Sequence, residues 1–177
     1  MARLTTLLIA VIAGLALSTA AASAHTRTST VPERVQVPAG NQPFLLAHAI
    51  GVQIYACSST PDGPKWQFVA PKAVLYGDHG TFLGTHFAGP TWEARDGSQV
   101  KGARVDGVTV NPKAIPWLLL KGTPTSPTGR FAPTTYIQRL ATAGGLEPAA
   151  ASCHPGTLGK ERWVPYTADY VFWKANA

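Results

Sequence analysis

Apolar and polar residues alternate along most of this chain, and the alternation predicts β-strands. Five segments are rich in β-branched and aromatic side chains, which favour a pleated, half-buried strand over a helix. These segments are 52–57, 65–69, 73–76, 81–87 and 99–105. The stretch 136–143 fits either a turn or two of helix or a strand, and it is the only helical candidate that the pattern offers.

Two segments nearer the C-terminus indicate how strands would be buried. The run 115–120 is continuously apolar and carries Pro116 near its start, where no ladder hydrogen bond is lost. It therefore predicts a strand covered on both faces. The segment 166–173 alternates, so one of its faces would carry every second residue. The residues of that face are Tyr166, Ala168, Tyr170 and Phe172.

Turn residues separate these segments at short intervals. Asp favours turn starts and Gly permits positive φ, and the two occur together at four places. These places are 61–64, 78–80, 96–98 and 106–107. The stretches 122–129 and 144–159 are rich in Pro, Gly, Ser and Thr and predict loops. We therefore predict an all-β fold, an antiparallel β-sandwich or barrel of roughly eight to ten short strands with long Pro/Gly loops.

The N-terminus predicts an export signal. Arg3 provides a positive start, residues 4–17 are almost entirely apolar, and Ala22-Ser23-Ala24 has the small residues of a cleavage site. We therefore expect a secreted, extracellular protein with no stable membrane insertion after signal peptide cleavage near Ala24. The predicted organisation is a signal peptide at 1–24, a flexible leader at 25–30 and a single secreted β domain at 31–177.

Cysteines and charges narrow the possible functions. Cys57 and Cys153 are the only two cysteines. In an oxidising compartment they predict one disulfide, which would stabilise the fold by roughly 4–5 kcal/mol, and two free buried thiols are the alternative. The formal net charge is +6, but the basic residues are scattered singly. We therefore expect weak attraction to anionic walls or polymers and no binding of nucleic acid.

Candidate catalytic residues flank a Gly-Pro corner. His86 and Glu93 lie on either side of it, and an imidazole within hydrogen-bond reach of a carboxylate can perform acid–base chemistry. The alternative is a structural turn, with Trp92 in the core and both polar residues solvated. His79, His86 and Glu93 also recur at seven-residue steps, a far less specific pattern than an HExxH helix. We therefore expect no metal and no cofactor.

Candidate binding residues form a second cluster. Tyr136, Gln138 and Arg139 combine an aromatic ring, an amide and a guanidinium; in a strand, Arg139 would face away from the other two. A buried Asp169 carboxylate would need a positively charged partner, and Arg139 is the obvious candidate. Aromatic faces also stack on sugar rings, although tryptophans more often fill cores. The tryptophans considered as sugar platforms are Trp66, Trp92, Trp163 and Trp173.

Several motifs together resemble one known family. They are Gly51-Val52-Gln53-Ile54-Tyr55-Ala56-Cys57, His86-Phe87-Ala88-Gly89-Pro90-Thr91-Trp92-Glu93, Ile115-Pro116-Trp117-Leu118-Leu119, Tyr136-Ile137-Gln138-Arg139 and Pro165-Tyr166-Thr167-Ala168-Asp169-Tyr170. With them, the chain resembles a secreted family of bacteria and fungi catalogued as domain of unknown function 3455. The resemblance implies an exported single-domain protein with this cysteine pair, and it implies no particular activity.

Three functions follow from these observations as hypotheses. The leading one is an extracellular or cell-surface binding module for carbohydrate or wall polymer, with Trp92, Tyr136, Gln138 and Arg139 as binding residues. The second is a small extracellular hydrolase or lyase that uses His86 and Glu93, with Arg139 orienting an anionic substrate. The third is a secreted inhibitor or effector that acts on a protein partner through the loop 122–129.

Overall fold

The chain folds into one closed antiparallel β-barrel. The computed structural model describes residues 31–177, so the predicted signal peptide and leader lie outside the described residues. Each strand pairs with its neighbours in sequence, and the last strand pairs with the first. The strands are β1 (Asn41–Thr60), β2 (Gly63–Tyr76), β3 (Phe82–Phe87), β4 (Thr91–Ala94), β5 (Gln99–Val108), β6 (Trp117–Pro124), β7 (Thr134–Gly144) and β8 (Glu161–Ala175).

The predicted all-β class is confirmed, and of the two predicted architectures the barrel is the observed one. The number of strands also agrees with the prediction, but their lengths do not, because β1, β2 and β8 have 20, 14 and 15 residues. Register shifts at Ile54/Tyr55 and at Pro43/Leu45 interrupt the ladders of β1. Such bulges bend a strand locally, which lets a long strand follow the barrel.

One alternative is decided and one local prediction needs correction. The stretch 136–143, which fitted either a helix or a strand, belongs to strand β7. Asp106–Gly107 is not a turn but lies inside β5, at a register shift between Arg104 and Asp106. Asp106 there binds the guanidinium of Arg34, with Nη2 2.5 Å from Oδ1, and this hydrogen bond lowers the pKa of the carboxyl group.

Connections alternate between the two ends of the barrel because all neighbouring strands are antiparallel. One end, which we call the closed end, carries the connections 77–81, 95–98 and 125–133. There Phe131 is fully buried, its ring 4.5 Å from that of Phe172 between centroids. Leu75, Leu83 and Val100 fill the same end. The barrel is therefore a packed core at this end.

The outer face of β6 and β7 is covered by the segment that precedes β1. Val35, in a short 3-10 turn at Glu33–Val35, is fully buried against Trp117 and Leu119. Leu118 and Leu120 of the same strand belong to the interior cluster. The predicted burial of this strand on both faces is confirmed. Within residues 31–177, no helix is long and apolar enough to cross a membrane.

A disulfide joins Cys57 and Cys153, as predicted, with their Cα atoms 5.4 Å apart. It ties the 145–160 connection to the end of β1. The same connection accepts a hydrogen bond at the Gly145 carbonyl from the Tyr55 hydroxyl, at 2.7 Å. At the Ser152 Oγ it accepts one from the Trp66 indole, at 3.0 Å. The long connection is therefore held at several points.

Candidate functional site

A cavity of about 300 Å³ lies inside the barrel, away from the closed end. It exists because β3 and β4 are short, with 6 and 4 residues. Pairing between β2 and β3 begins only at Ala73, so the residues of β2 before it have no β3 partner. The turn 88–90 between the short strands forms part of the rim of this opening. Phe68 and Val69 line it and remain 54% and 51% exposed.

The floor of the cavity is a stack of buried rings. The imidazole of His86 lies 4.2 Å from the Trp92 ring between centroids and is tilted by only 9°. Tyr170 meets both rings edge-on, at 5.2 and 5.3 Å. All three side chains come from adjacent or facing strands and point inward. Aromatic rings in such contact form a rigid apolar surface.

Gly102 makes room for this stack. A Cβ at that position would lie 2.8 Å from Cζ3 of Trp92, which is too close for two carbon atoms. Any larger residue would therefore displace the indole or enter the cavity that Gly102 also lines. Glycine at this inward position of β5 is required by close approach, since its backbone needs no unusual φ.

His86 is neutral in this environment. Burial lowers the pKa of His86 to about 3, and the charge of Arg139 contributes to the lowering. Nδ1 lies 2.9 Å from the Thr91 carbonyl oxygen, to which it can only donate. In the neutral ring Nε2 is then an acceptor. The floor therefore offers a lone pair rather than a positive charge.

Arg139 is the charged group of the cavity wall. Its Nε donates to the Pro116 carbonyl oxygen at 3.0 Å. It has no carboxylate within ion-pair distance among the described residues. Burial raises the pKa of Tyr170, and the nearby Arg139 charge opposes that rise. Arg139 also lines a smaller recess of about 260 Å³ that extends to Tyr55 and Pro116.

Two side chains of the cavity carry polar hydrogens without an acceptor. Gln53 and Trp92 are 3% and 1% exposed and both line the cavity. Neither Nε2 of Gln53 nor Nε1 of Trp92 forms a hydrogen bond of normal geometry among the described residues. The Gln53 side chain does lie close enough to the Tyr166 hydroxyl to oppose the rise that burial causes in the pKa of Tyr166. A buried unpaired donor is costly, so such groups call for an explanation. A bound ligand with acceptor atoms would provide the partners.

The structure does not bring together His86 and Glu93, the residues predicted as a catalytic pair. Glu93 pairs with Thr85 in the ladder between β3 and β4, whereas His86 pairs with Trp92. Because neighbouring residues of a strand face opposite sides, His86 points into the barrel and Glu93 points out. Glu93 instead accepts a hydrogen bond from the Gln99 amide. The sequence brought the two residues to one corner but could not show the register of the strands.

The predicted binding residues divide between two faces. Trp92 and Arg139 line the cavity. Tyr136 and Gln138 face outward, as their alternation with Arg139 predicted, and Gln138 binds the Val35 carbonyl there. The expected ion pair of Arg139 with Asp169 is not formed, because Asp169 is on the outer face, with Oδ1 2.7 Å from Nδ1 of His48.

Of the tryptophans considered as sugar platforms, only Trp163 is largely exposed. Trp66 and Trp92 are buried and Trp173 is partly buried. Trp163 is 53% exposed and lines an outer groove of about 470 Å³ with Ile50 and Phe87. The Lys72 ammonium lies 5.2 Å from its ring centroid. Within residues 31–177, His79, His86 and Glu93 do not form a metal-ligand group.

The loop predicted as a reactive element is held to the barrel. Residues 122–124 belong to β6. Ser126 Oγ accepts a hydrogen bond from the backbone N–H of Gln99 at 3.1 Å, and the backbone N–H of Arg130 donates to Asp96 Oδ2 at 2.8 Å. Phe131, which follows Arg130, carries the fully buried ring of the closed end. These contacts hold both ends of the loop, and residues 127–129 between them are exposed.

Three cavity residues were missed from the sequence: Gln53, Arg104 and Tyr170. Gln53 and Tyr170 occupy the inward positions of strands whose other inward residues are apolar, such as Ala49 and Ala168. A polar residue on the apolar side of a predicted strand was the available signal. Arg104 gave no such signal, because the adjacent register shift hides its face.

Comparison with known proteins gives one match. A family model described as "Protein of unknown function (DUF3455)" matches residues 38–174. No curated protein and no solved structure gives a significant match. Any function of this barrel is therefore inferred from its own residues.

Proposed function

The chain belongs to the DUF3455 family of unknown function, and we propose that it is an exported binding protein that takes a small organic molecule into its barrel. The observation that carries the proposal is the cavity itself. Its volume of about 300 Å³ falls at the lower end of small-molecule sites, and its lining is mostly apolar with a few polar groups. Gln53 Nε2 and Trp92 Nε1 are buried donors that find no acceptor of normal geometry within residues 31–177.

Binding accounts for these residues better than acid–base chemistry does. A histidine whose pKa is about 3 is a poor base near neutral pH. Glu93, the carboxylate that the sequence suggested as its partner, faces the outside of the barrel. The cavity floor is instead rigid and preformed, which lowers the entropic cost of holding a ligand.

Export is part of the same proposal. The apolar segment at 4–17, followed by Ala22-Ser23-Ala24, supports it, and so does the disulfide, since disulfides persist in oxidising compartments. Expression of the full chain in a secreting host, followed by N-terminal sequencing of the medium, should give His25 as the first residue. Retention of the whole product inside the cells would contradict export.

A screen by thermal unfolding tests the binding function. A panel of neutral, anionic and cationic compounds of matched size should contain members that raise Tm, because a ligand that binds only the folded state stabilises it. Leu118→Trp, which narrows the cavity, should abolish the increase. The exposed outward residue Ala103 of β5 provides the control Ala103→Trp. Stabilisation that persists in a folded Leu118→Trp variant, or no stabilisation by any compound, would contradict a ligand in the barrel.

A second candidate function is attachment to extracellular polysaccharide by the outer groove. The observation that favours it is the exposed ring of Trp163 beside Ile50 and Phe87, since sugar rings stack on such faces. Pull-down on cell walls, chitin, cellulose and plant or fungal glycans tests it. Trp163→Ala should release the protein, and Phe82→Ala, which removes an exposed ring outside this groove, should not. Retention unchanged in Trp163→Ala, or none by the folded native protein, would reject this function.

A further inference from the structure

We propose that the ligand of the cavity is an organic carboxylate, whose charged group binds Arg139 and whose apolar body lies against Trp92. This inference rests on the proposed binding function and names the chemical class of its ligand. The charges that line the cavity, its hydrogen-bond donors and its mainly apolar lining support the inference.

The charges lining the cavity have one sign. Arg139 and Arg104 line both the cavity and the adjoining recess, and none of the described residues that line either is Asp or Glu. Burial raises the pKa of Tyr55 in the recess, and the charge of the exposed Glu147 adds to that rise from a distance. The Pro116 carbonyl and the Tyr170 hydroxyl replace part of the hydration that the Arg139 guanidinium loses, but no carboxylate among the described residues balances its charge, which is unfavourable for a partly buried group. An anionic ligand would supply the missing charge.

Arg139 is oriented for such a ligand. Its Nε is used by the Pro116 carbonyl oxygen, which fixes the plane of the guanidinium. The two terminal nitrogens then form the fork that matches the two oxygens of a carboxylate. Arg104 lines the same cavity but is exposed, so it lies at the opening. It can therefore attract an anion to the opening before Arg139 binds it.

The polar groups of the floor determine which end of the ligand enters first. His86 offers an acceptor at Nε2, because its Nδ1 donates to Thr91. That lone pair would repel a carboxylate, so the charged end stays with Arg139 and the apolar end reaches the rings. Nε2 of Gln53 and Nε1 of Trp92 can donate hydrogen bonds to acceptor atoms along the ligand.

A single negative charge suits the site better than a phosphate. Among the described residues, two guanidinium groups line the cavity, and one of them, that of Arg104, is exposed. A phosphate monoester brings close to two negative charges at neutral pH and needs more donors to replace its water. The mainly apolar lining therefore favours a carboxylate on an aromatic or aliphatic body.

Calorimetric titration with matched compounds tests the inference. Each set contains a carboxylate, its amide, the corresponding amine and a phosphate monoester on one apolar body, beginning with phenylpropanoate. In the sets that bind, the carboxylate should bind at least tenfold more tightly than the amide, which corresponds to about 1.4 kcal/mol. Arg139→Gln keeps a donor for Pro116, and it should remove this preference while leaving the amide affinity within about threefold. Arg130→Gln changes an exposed arginine outside the cavity and should leave it intact.

The outcomes separate this inference from the proposed function. Equal affinity of the carboxylate and the amide, tighter binding of the phosphate or amine, or a preference that survives in Arg139→Gln would overturn the carboxylate while leaving a ligand-binding barrel. Binding by no member of any set would overturn both. Arg104→Gln should slow association with little change in dissociation rate, because Arg104 acts at the opening.

Discussion

Individual side chains in the cavity follow from the alternation of the strands. His86, Trp92 and Tyr170 are inward residues whose neighbours in sequence face outward. The sequence showed this for Tyr170, because 166–173 alternates without interruption. It did not show the stacking of His86 on Trp92, because that depends on pairing across a corner. Parity within one strand is a local property, whereas register is not.

His86 leads to a prediction on stability and pH. Its folded pKa of about 3 is below the unfolded value of about 6.5, so the unfolded chain gains the proton first as the pH falls. Its contribution is fully present above pH 6.5 and is lost progressively towards pH 3. The native protein should lose about 2 kcal/mol from this group between pH 7 and pH 5. Urea unfolding at the two pH values measures the loss.

The matched variants separate this effect from other titrations. His86→Gln keeps a donor for Thr91 and should lose less stability between pH 7 and pH 5 than the native chain does. His154→Gln changes an exposed histidine of the 145–160 connection and should behave as the native chain. An identical pH dependence in folded His86→Gln and native protein would show that His86 does not stay neutral in the fold.

For the individual strands, the sequence predicted which segments form strands better than it predicted how long each strand is. The burial of residues 117–120 of β6 on both faces followed from an apolar run, but nothing in the sequence around Val35 indicates that this segment covers the strand. The lengths of β1 and β8 were underestimated, because the predicted strands 52–57 and 166–173 are only parts of them. Gly51, inside β1, is needed by close packing, since a Cβ there would lie 2.2 Å from the Lys72 carbonyl oxygen.

The disulfide leads to a prediction about the 145–160 connection. Cys57→Ala, Cys153→Ala and the double variant should each lose a similar free energy of unfolding, because all three remove one shared bond. A closed loop of 96 positions corresponds to about 4–5 kcal/mol in the chain-entropy model. Urea unfolding of the three variants and of the reduced native protein measures it. Losses that add in the double variant would mean that the two sulfurs act separately.

For the whole molecule, neither the closure of the barrel nor its interior cavity could be predicted from the sequence. Closure depends on the pairing of β1 with β8, which are separated by most of the domain. The opening depends on the shortness of β3 and β4 relative to their neighbours. The sequence named Arg139 and Trp92 for separate reasons, and only the barrel brings them to one cavity. Long-range pairing is what local patterns do not encode.

We propose that the barrel interior, and not its outer face, binds a small organic anion. Nuclear magnetic resonance of the side-chain N–H groups, during titration with the tightest carboxylate of the matched sets, distinguishes the two surfaces. The Trp92 Nε1–H and Gln53 amide signals should shift with the ligand, while the signal of the exposed Trp163 indole should not. Shifts at Trp163, with Trp92 and Gln53 unchanged, would contradict it and place the ligand in the outer groove.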